Sequence, residues 1–349
     1  MNVPFWVWIA TVVAILALFV FDFYAHVRTP HAPSIKESAW WSTFYIVLAL
    51  VFGVGVLLVS GTRYGAEYFA GYVTEKSLSV DNLFVFVIIM SKFAVPREYQ
   101  QKVLLIGIAI ALLMRGIFIA LGAAAIANFS WVFYIFGAFL IYTAWKLARE
   151  KHDQDEEFKE NAVLRFVERV LPTTTDYHGD RLTVRIDGKR LVTPMLVVMI
   201  AIGTTDLLFA LDSIPAIFGL TNEPYIVFTA NAFALLGLRQ LYFLIGGLLE
   251  RLVYLSLGLS VILGFIGVKL VLEALHSNEL PFINGGEHVE WAPEVPIWLS
   301  LTVIIGTLTV TTVASLAKTR LDRNALRKVP DVAEVEEGVP PVPEDSPHD

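Results

Sequence analysis

Residues 74–86 read TEKSLSVDNLFVF and residues 205–218 read TDLLFALDSIPAIF. In each segment two acids stand six residues apart, Glu75 with Asp81 and Asp206 with Asp212, inside long apolar runs. The chain as a whole is 56% hydrophobic and 17% charged over 349 residues, with a mean hydropathy of +0.64. Soluble domains carry about 25% charge and must keep a polar exterior, so most of this chain is built for lipid. A repetitive fibre and a wholly disordered chain are excluded on this ground, and a water-soluble enzyme is not expected.

The acidic segments belong to a longer match. ALLMRGIFIALGAA around Arg115 parallels ALLGLRQLYFLIGG around Arg239, and YTAWKLA at Lys146 parallels GFIGVKLV at Lys269. The offsets between halves are 131, 124 and 123 residues, in the same order each time. Apolar helices resemble one another by chance, and it is the charged landmarks that give this match weight. Each repeat holds three spans, an odd number, so the second must cross the bilayer in the opposite sense. Inverted repeats of this kind characterise secondary transporters, whose substrate site lies near the midplane between the halves.

A spanning helix needs about 20 mostly apolar residues. Nine runs qualify: Pro4–Phe21, Trp40–Ser60, Leu78–Met90, Val103–Ala127, Trp131–Trp145, Pro194–Leu220, Tyr225–Leu249, Leu252–Leu275 and Ile297–Leu316. Leu78–Met90 is long enough only if it begins near Thr74, which draws Glu75, Lys76 and Asp81 towards the membrane. The first run lacks the basic start and small-residue cleavage site of a signal peptide. With the N-terminus outside, 21 of the 26 Lys and Arg fall on the inner side, the bias expected of cytoplasmic loops. An inner (plasma) membrane location with a cytoplasmic C-terminus follows.

The fold expected is therefore an all-α polytopic membrane protein of about nine transmembrane helices with a three-plus-three inverted repeat. Residues 1–38 would form the first helix and a cytoplasmic loop, and 39–147 a second helix plus the first repeat. Residues 148–193 would be a cytoplasmic linker, with an amphipathic helix at Glu157–Leu171 and a hairpin turning at Asp187-Gly188. The second repeat would occupy 194–276, an outer loop and the last helix 277–317, and a basic then acidic disordered tail 318–349.

Charges inside hydrocarbon cost at least about 2.5–3.5 kcal/mol on insertion scales, so each needs a partner or a wet cavity. Six residues turn a helix by about 600°, which sets the acids of each pair about 120° apart. They can share a site if the helix breaks or flanks a narrow cavity, and Pro215, with no N–H for the carbonyl of Leu211, supplies a reason for a break. One reading has Asp81 and Asp212 paired with Arg115 and Arg239 as buried bridges that only fix packing. The other has the acids of both repeats converging on a cation, with Asn82, Ser213 and Asn231 completing an all-oxygen set suited to Mg²⁺, Ca²⁺ or Mn²⁺. Arg115 and Arg239 would then hold the carboxylates apart when the site is empty and move aside when the ion arrives. Asp22 reads as interfacial, Glu67 as solvated and Glu273 as an entry or exit ligand. There is no cysteine, no phosphate-binding loop of the G-x-x-x-x-G-K-[ST] type and no hydrolase constellation. An enzyme, a resident cofactor and a nucleic-acid partner are not expected.

TEKSLSVDNLFVF, DLLFALDSIPAIF and NAFALLGLRQLYFLIGGLLERL together resemble the TerC family, named for tellurium resistance and placed near the LysE-type exporters. The resemblance runs from about Tyr45 to about Leu275. It implies a role in Mn²⁺ efflux or in loading Mn²⁺ onto exported enzymes, with Glu75, Asp81, Asp206 and Asp212 as the functional acids. The function expected is export of a divalent cation, Mn²⁺ first, against protons carried by the same carboxylates. Alternatives are a non-transporting membrane scaffold linked to tellurium resistance or secretion, and an amino-acid exporter of the LysE type using Arg115 and Arg239. The partners expected are the lipid bilayer and the divalent cation, with homo-oligomerisation left open.

Overall fold

A computed structural model describes residues 1, 3–28, 31–129, 131–149, 172–174, 176–186, 189–245, 254–276 and 291–326, with 278, 280, 284, 287 and 289; the side chains of Asp81, Phe84, Lys189, Ile245 and residues 320–326 are not among those described. The expected amphipathic helix at Glu157–Leu171 and the tail beyond Leu326 lie outside these residues.

Ten α-helices and one strand pair make up the described chain. Helix α1 (Phe5–Asp22) runs into five residues of π-helix at Phe23–Val27. α2 (Ile35–Ser60) starts at a capping box in which Ser34 and Glu37 satisfy each other's backbone N–H groups. α3 (Thr62–Lys92), α4 (Arg97–Asn128) and α5 (Val132–Arg149) form the first repeat. β1 (Thr183–Ile186) and β2 (Lys189–Val192) pair antiparallel, with Ile186 opposite Lys189. α6 (Pro194–Phe218), α7 (Pro224–Leu235), α8 (Leu238–Ile245) and α9 (Leu255–His276) form the second repeat, and α10 (Ile297–Leu326) follows.

Eight segments among the described residues are long and apolar enough to cross a membrane, with α7 and α8 counted as one. α3 is the ninth helix of spanning length, at 31 residues. It starts twelve residues earlier than Thr74, and Arg63, Glu67, Glu75, Lys76, Asp81 and Lys92 leave it too polar to qualify by composition. A helix so charged is stable in hydrocarbon only if its neighbours enclose it, and α3 packs against α2, α6, α7 and α10.

The packing treats the two halves alike. α5 lies along α9, α4 along α6 and α3 along α7. Exchanging the repeats, with α3 for α6, α4 for α7 and α5 for α9, leaves this set of contacts unchanged. At the α5–α9 crossing, a Cβ on Gly137 would lie 2.9 Å from the carbonyl oxygen of Gly267, and a Cβ on Gly267 3.0 Å from that of Gly137. Small residues here let the backbones meet, which is how membrane helices gain packing energy without a hydrophobic drive.

Two expectations about helix breaks are corrected. α6 runs through Pro215 without interruption to Phe218. Pro215 falls in the last turn, so the lost N–H costs one carbonyl bond and little helix remains to be deflected. The expected continuous span Tyr225–Leu249 is the broken one. α7 stops at Leu235, Leu236 turns to φ −59° and ψ 129°, and Gly237 takes φ +79° before α8 begins. The second repeat carries one more residue than the first at this point, ALLGLR against ALLMR. The extra residue is accommodated by the break, while α4 passes its own arginine unbroken.

Candidate functional site

Arg115 sits in the middle of α4 with none of its side chain exposed. Its Nη1 donates to Oε1 of Glu75 on α3, to Oδ1 of Asn231 on α7 at 2.7 Å and to Oγ of Ser213 on α6 at 3.2 Å. Its Nε and Nη2 take both oxygens of Asp206 on α6, at 2.8 and 3.3 Å. One guanidinium on α4 therefore gathers side chains from three other helices. Glu75 and Asp206 are equivalents across the 131-residue offset, so the two halves meet at this arginine. The planar fork of five donors suits such a node, since a lysine could not serve two carboxylates and two neutral oxygens at once.

The centre is not fully satisfied. Two carboxylates share one guanidinium in a buried place. Ser79 Oγ donates to Glu75 Oε1 at 3.2 Å, but Glu75 Oε2 is buried with no hydrogen-bond partner among the described residues. Thr74 and Thr205, which precede Glu75 and Asp206 at equivalent positions, also bury hydroxyls without a partner. Most helical hydroxyls nearby take the carbonyl four residues back, as Ser77 and Thr229 do at 2.7 and 2.8 Å. Thr74 and Thr205 forgo that bond in both repeats, which marks a shared environment at the level of the hydroxyls. A buried polar group with no partner costs about 1–3 kcal/mol.

Of the residues expected from sequence, Glu75, Arg115, Asp206 and Ser213 come together here, with Asn231. Asn82 is buried on α3, and its Nδ2 has no partner among the described residues. Asp212 is half-buried on α6, six residues beyond Asp206. Asp81 lies on α3 with its side chain outside those described. Among the described residues no three His, Asp or Glu side chains are grouped so as to hold a metal. The carboxylates are held by the arginine.

Arg239 does not share this centre. Its Nη2 donates to Asp22 Oδ1 on α1 at 2.7 Å, and its Nη1 to Gln101 Oε1 on α4. Gln240 Nε2 adds a bond to the same Asp22 oxygen at 3.3 Å, and His26 Nδ1 lies 3.2 Å from it. Asp22, at the end of α1, is 7% exposed and buried in this cluster. The expectation that Glu67 is solvated is corrected. It is 5% exposed, accepting from Arg63 Nε at 2.9 Å and from Thr221 Oγ1 at 2.6 Å. Both acids stand near predicted span ends, and neither partner is visible in the sequence, because Arg239 and Thr221 arrive from over 150 residues away.

Residues 60–323, well over half the chain, match the family described as integral membrane protein TerC family. The chain belongs to the TerC family. Related members include an uncharacterised membrane protein of Mycobacterium tuberculosis, 54% identical over 90% of this chain and 80% of the relative. A Salmonella typhi protein with the provisional name membrane-bound redox modulator Alx is 38% identical over 82% of this chain and 86% of its own length. The thylakoid membrane protein TERC of Arabidopsis thaliana is 44% identical over 64% of this chain and 58% of its own. No solved structure matches the chain. This TerC protein is thus an integral, multi-pass membrane protein, and its Arg115 centre lies within the matched region.

Proposed function

We propose that this TerC protein is a secondary transporter that exports a divalent cation, with Mn²⁺ as the main cargo. The observation that supports it best is the meeting of equivalent carboxylates, Glu75 and Asp206, in a buried centre that keeps an unpartnered carboxylate oxygen. Carboxylate, hydroxyl and amide oxygens form a hard donor set, suited to Mn²⁺, Mg²⁺ or Ca²⁺. The TerC resemblance favours Mn²⁺ among these.

In this proposal the guanidinium of Arg115 stands in for the cargo's charge while the site is empty. The ion displaces it from at least one carboxylate, and Asp81 and Asp212 join as the helices rearrange. Protons returning on the same carboxylates would drive the cycle. The positive charge of the inner loops supports an inner-membrane orientation with the N-terminus outside and the C-terminus in the cytoplasm.

One observation favours a second reading. Arg115 pairs with acids from both repeats, and such a pairing also suits a packing bridge in a membrane scaffold. Manganese content of cells carrying the intact chain, compared with Glu75→Gln, Asp206→Asn and Asp212→Asn, separates the two. Export predicts that intact protein lowers cell manganese and that each variant loses this effect. A scaffold predicts equal manganese in all four. A redox role of the kind named for the Salmonella relative could not run through thiols of this chain, which has no cysteine.

A further inference from the structure

Lys76 follows Glu75 directly, one step of about 100° around α3. Its Nζ reaches a different target, donating to the carbonyl oxygen of Ala234 at 3.0 Å. Ala234 is the penultimate residue of α7, one turn past Asn231, whose amide oxygen is held by Arg115. The last carbonyls of a helix have no partner within it and carry the negative end of its dipole. In water this costs little, but inside a membrane the exposed end of a broken helix needs a cation or a donor.

Two asymmetries coincide at this bond. The repeat equivalent of Lys76, 131 residues on, is the apolar Leu207. The equivalent of Ala234, 123 residues back, is Ala111, within the unbroken α4. The lysine without a counterpart thus caps the break without a counterpart. Beyond the break, α8 is tied by Arg239 to Asp22 and Gln101. Gly237, at φ +79°, is the joint between the two fixed halves.

We propose that Lys76 is a positioning residue that couples the carboxylate centre to the hinge at Leu236–Gly237. This rests on the transport proposed above. A cation drawn between Glu75 and Asp206 shifts the turn of α3 that carries Glu75. Lys76 belongs to the same turn and passes that shift to the end of α7. Loss of the ammonium–carbonyl contact frees α7 and α8 to change their angle about Gly237. Glu75 thereby senses the cargo and Lys76 relays its presence to the moving joint.

The test uses the absence of native cysteine. A Leu241→Cys chain places one thiol on α8, at a side chain that is 8% exposed. It is reconstituted in vesicles and labelled with an impermeant maleimide, with and without MnCl₂, and Mn²⁺ flux is measured in parallel. Mn²⁺ should change the labelling rate several-fold in this chain. Adding Lys76→Gln should abolish the response and lower maximal flux at least about tenfold, with the half-saturating Mn²⁺ concentration held within about threefold. Lys76→Arg, which keeps a charged donor, should retain the response. The coupling is overturned if Lys76→Gln responds to Mn²⁺ like its parent, or if it changes only half-saturation. Should Lys76→Gln fail to fold, a folded Lys76→Arg that has lost the response overturns it equally. If the Leu241→Cys parent neither moves Mn²⁺ nor responds to it while the unmodified chain also moves none, the transport proposal itself has failed.

Discussion

Glu75 and Asp206 stand at equivalent positions of two repeats, 131 residues apart, and bind the same guanidinium. A repeat protein that only duplicated a stable fold would give each acid its own arginine. Here the counterpart arginine, Arg239, is turned away by the break at Gly237 and neutralises Asp22 instead. The result is a centre with one more carboxylate than cation, held between the halves.

Removing that cation should expose the imbalance. Arg115→Gln leaves two buried carboxylates facing each other, and breaking a buried ion pair costs about 3–5 kcal/mol. The thermal unfolding midpoint of the detergent-solubilised protein should fall by several degrees. Millimolar Mn²⁺ should restore part of it, because the metal replaces the lost charge. Arg239→Gln should also lower the midpoint but without rescue by Mn²⁺.

The joint in the second repeat makes its own demand. A Cβ on Gly237 would sit 2.8 Å from Cβ of Tyr45, and φ +79° disfavours any L side chain. Gly237→Ala should therefore cost about 1–3 kcal/mol in unfolding experiments. Gly55→Ala, on a helix with nothing within 4 Å of the added carbon, is the control and should be neutral or slightly stabilising.

Asp22 and Arg239 should behave as a coupled pair. Asp22→Asn and Arg239→Gln each leave a buried partner stranded, whereas the double variant removes both charges together. The double variant should be less destabilised than the sum of the singles by about 0.5–3 kcal/mol, read from denaturation of all four chains. Strict additivity would show that the pair does not form in the membrane.

The segment before β1 is pinned to the start of α4. Lys102 Nζ donates to Asp180 Oδ2 at 2.7 Å and to its carbonyl at 3.1 Å, and Tyr177 donates to the Phe93 carbonyl at 2.7 Å. The hydrogen bond from Lys102 holds the Asp180 carboxyl below the usual aspartate value. A carboxyl depressed in the folded state contributes its stabilisation at pH above the unfolded value, near 3.9. It loses that contribution as pH falls through the lower, folded value. Amide exchange in β1 and β2 should thus be unchanged from pH 8 to 5 after correction for intrinsic rates, and should speed up only under strong acid. Lys102→Met should remove this acid-dependent loss and speed exchange in β1 and β2 at neutral pH as well.

Much of the architecture was legible because hydrocarbon thickness dictates run length, and because Asp81, Arg115, Asp206 and Asp212 are conspicuous in apolar surroundings. The meeting of Glu75 with Asp206 was implied by their equal placement in the two repeats. The break at Leu236–Gly237 was hidden because ALLGLRQL is as apolar as an intact span, and a single glycine breaks a helix only when the tertiary setting asks it to. Pro215 drew attention as the stronger breaker, yet its place in the final turn made it harmless. The burial of Glu67 and the partner of Asp22 were hidden, because place in the sequence says nothing of which distant helix covers an acid. Lys76 stood out only as a charge in the wrong solvent, since its partner is a backbone carbonyl that no sequence pattern marks.

The most direct measurement is Mn²⁺ flux in vesicles reconstituted with purified protein, taken for the intact chain, Glu75→Gln, Asp206→Asn and, as a control, Glu67→Gln. Flux through the intact chain should exceed that of empty vesicles, fall to the empty-vesicle level in Glu75→Gln and Asp206→Asn, and persist in Glu67→Gln. Flux in the intact chain no faster than through lipid alone, or undiminished in Glu75→Gln and Asp206→Asn, would contradict a cation site between the two halves.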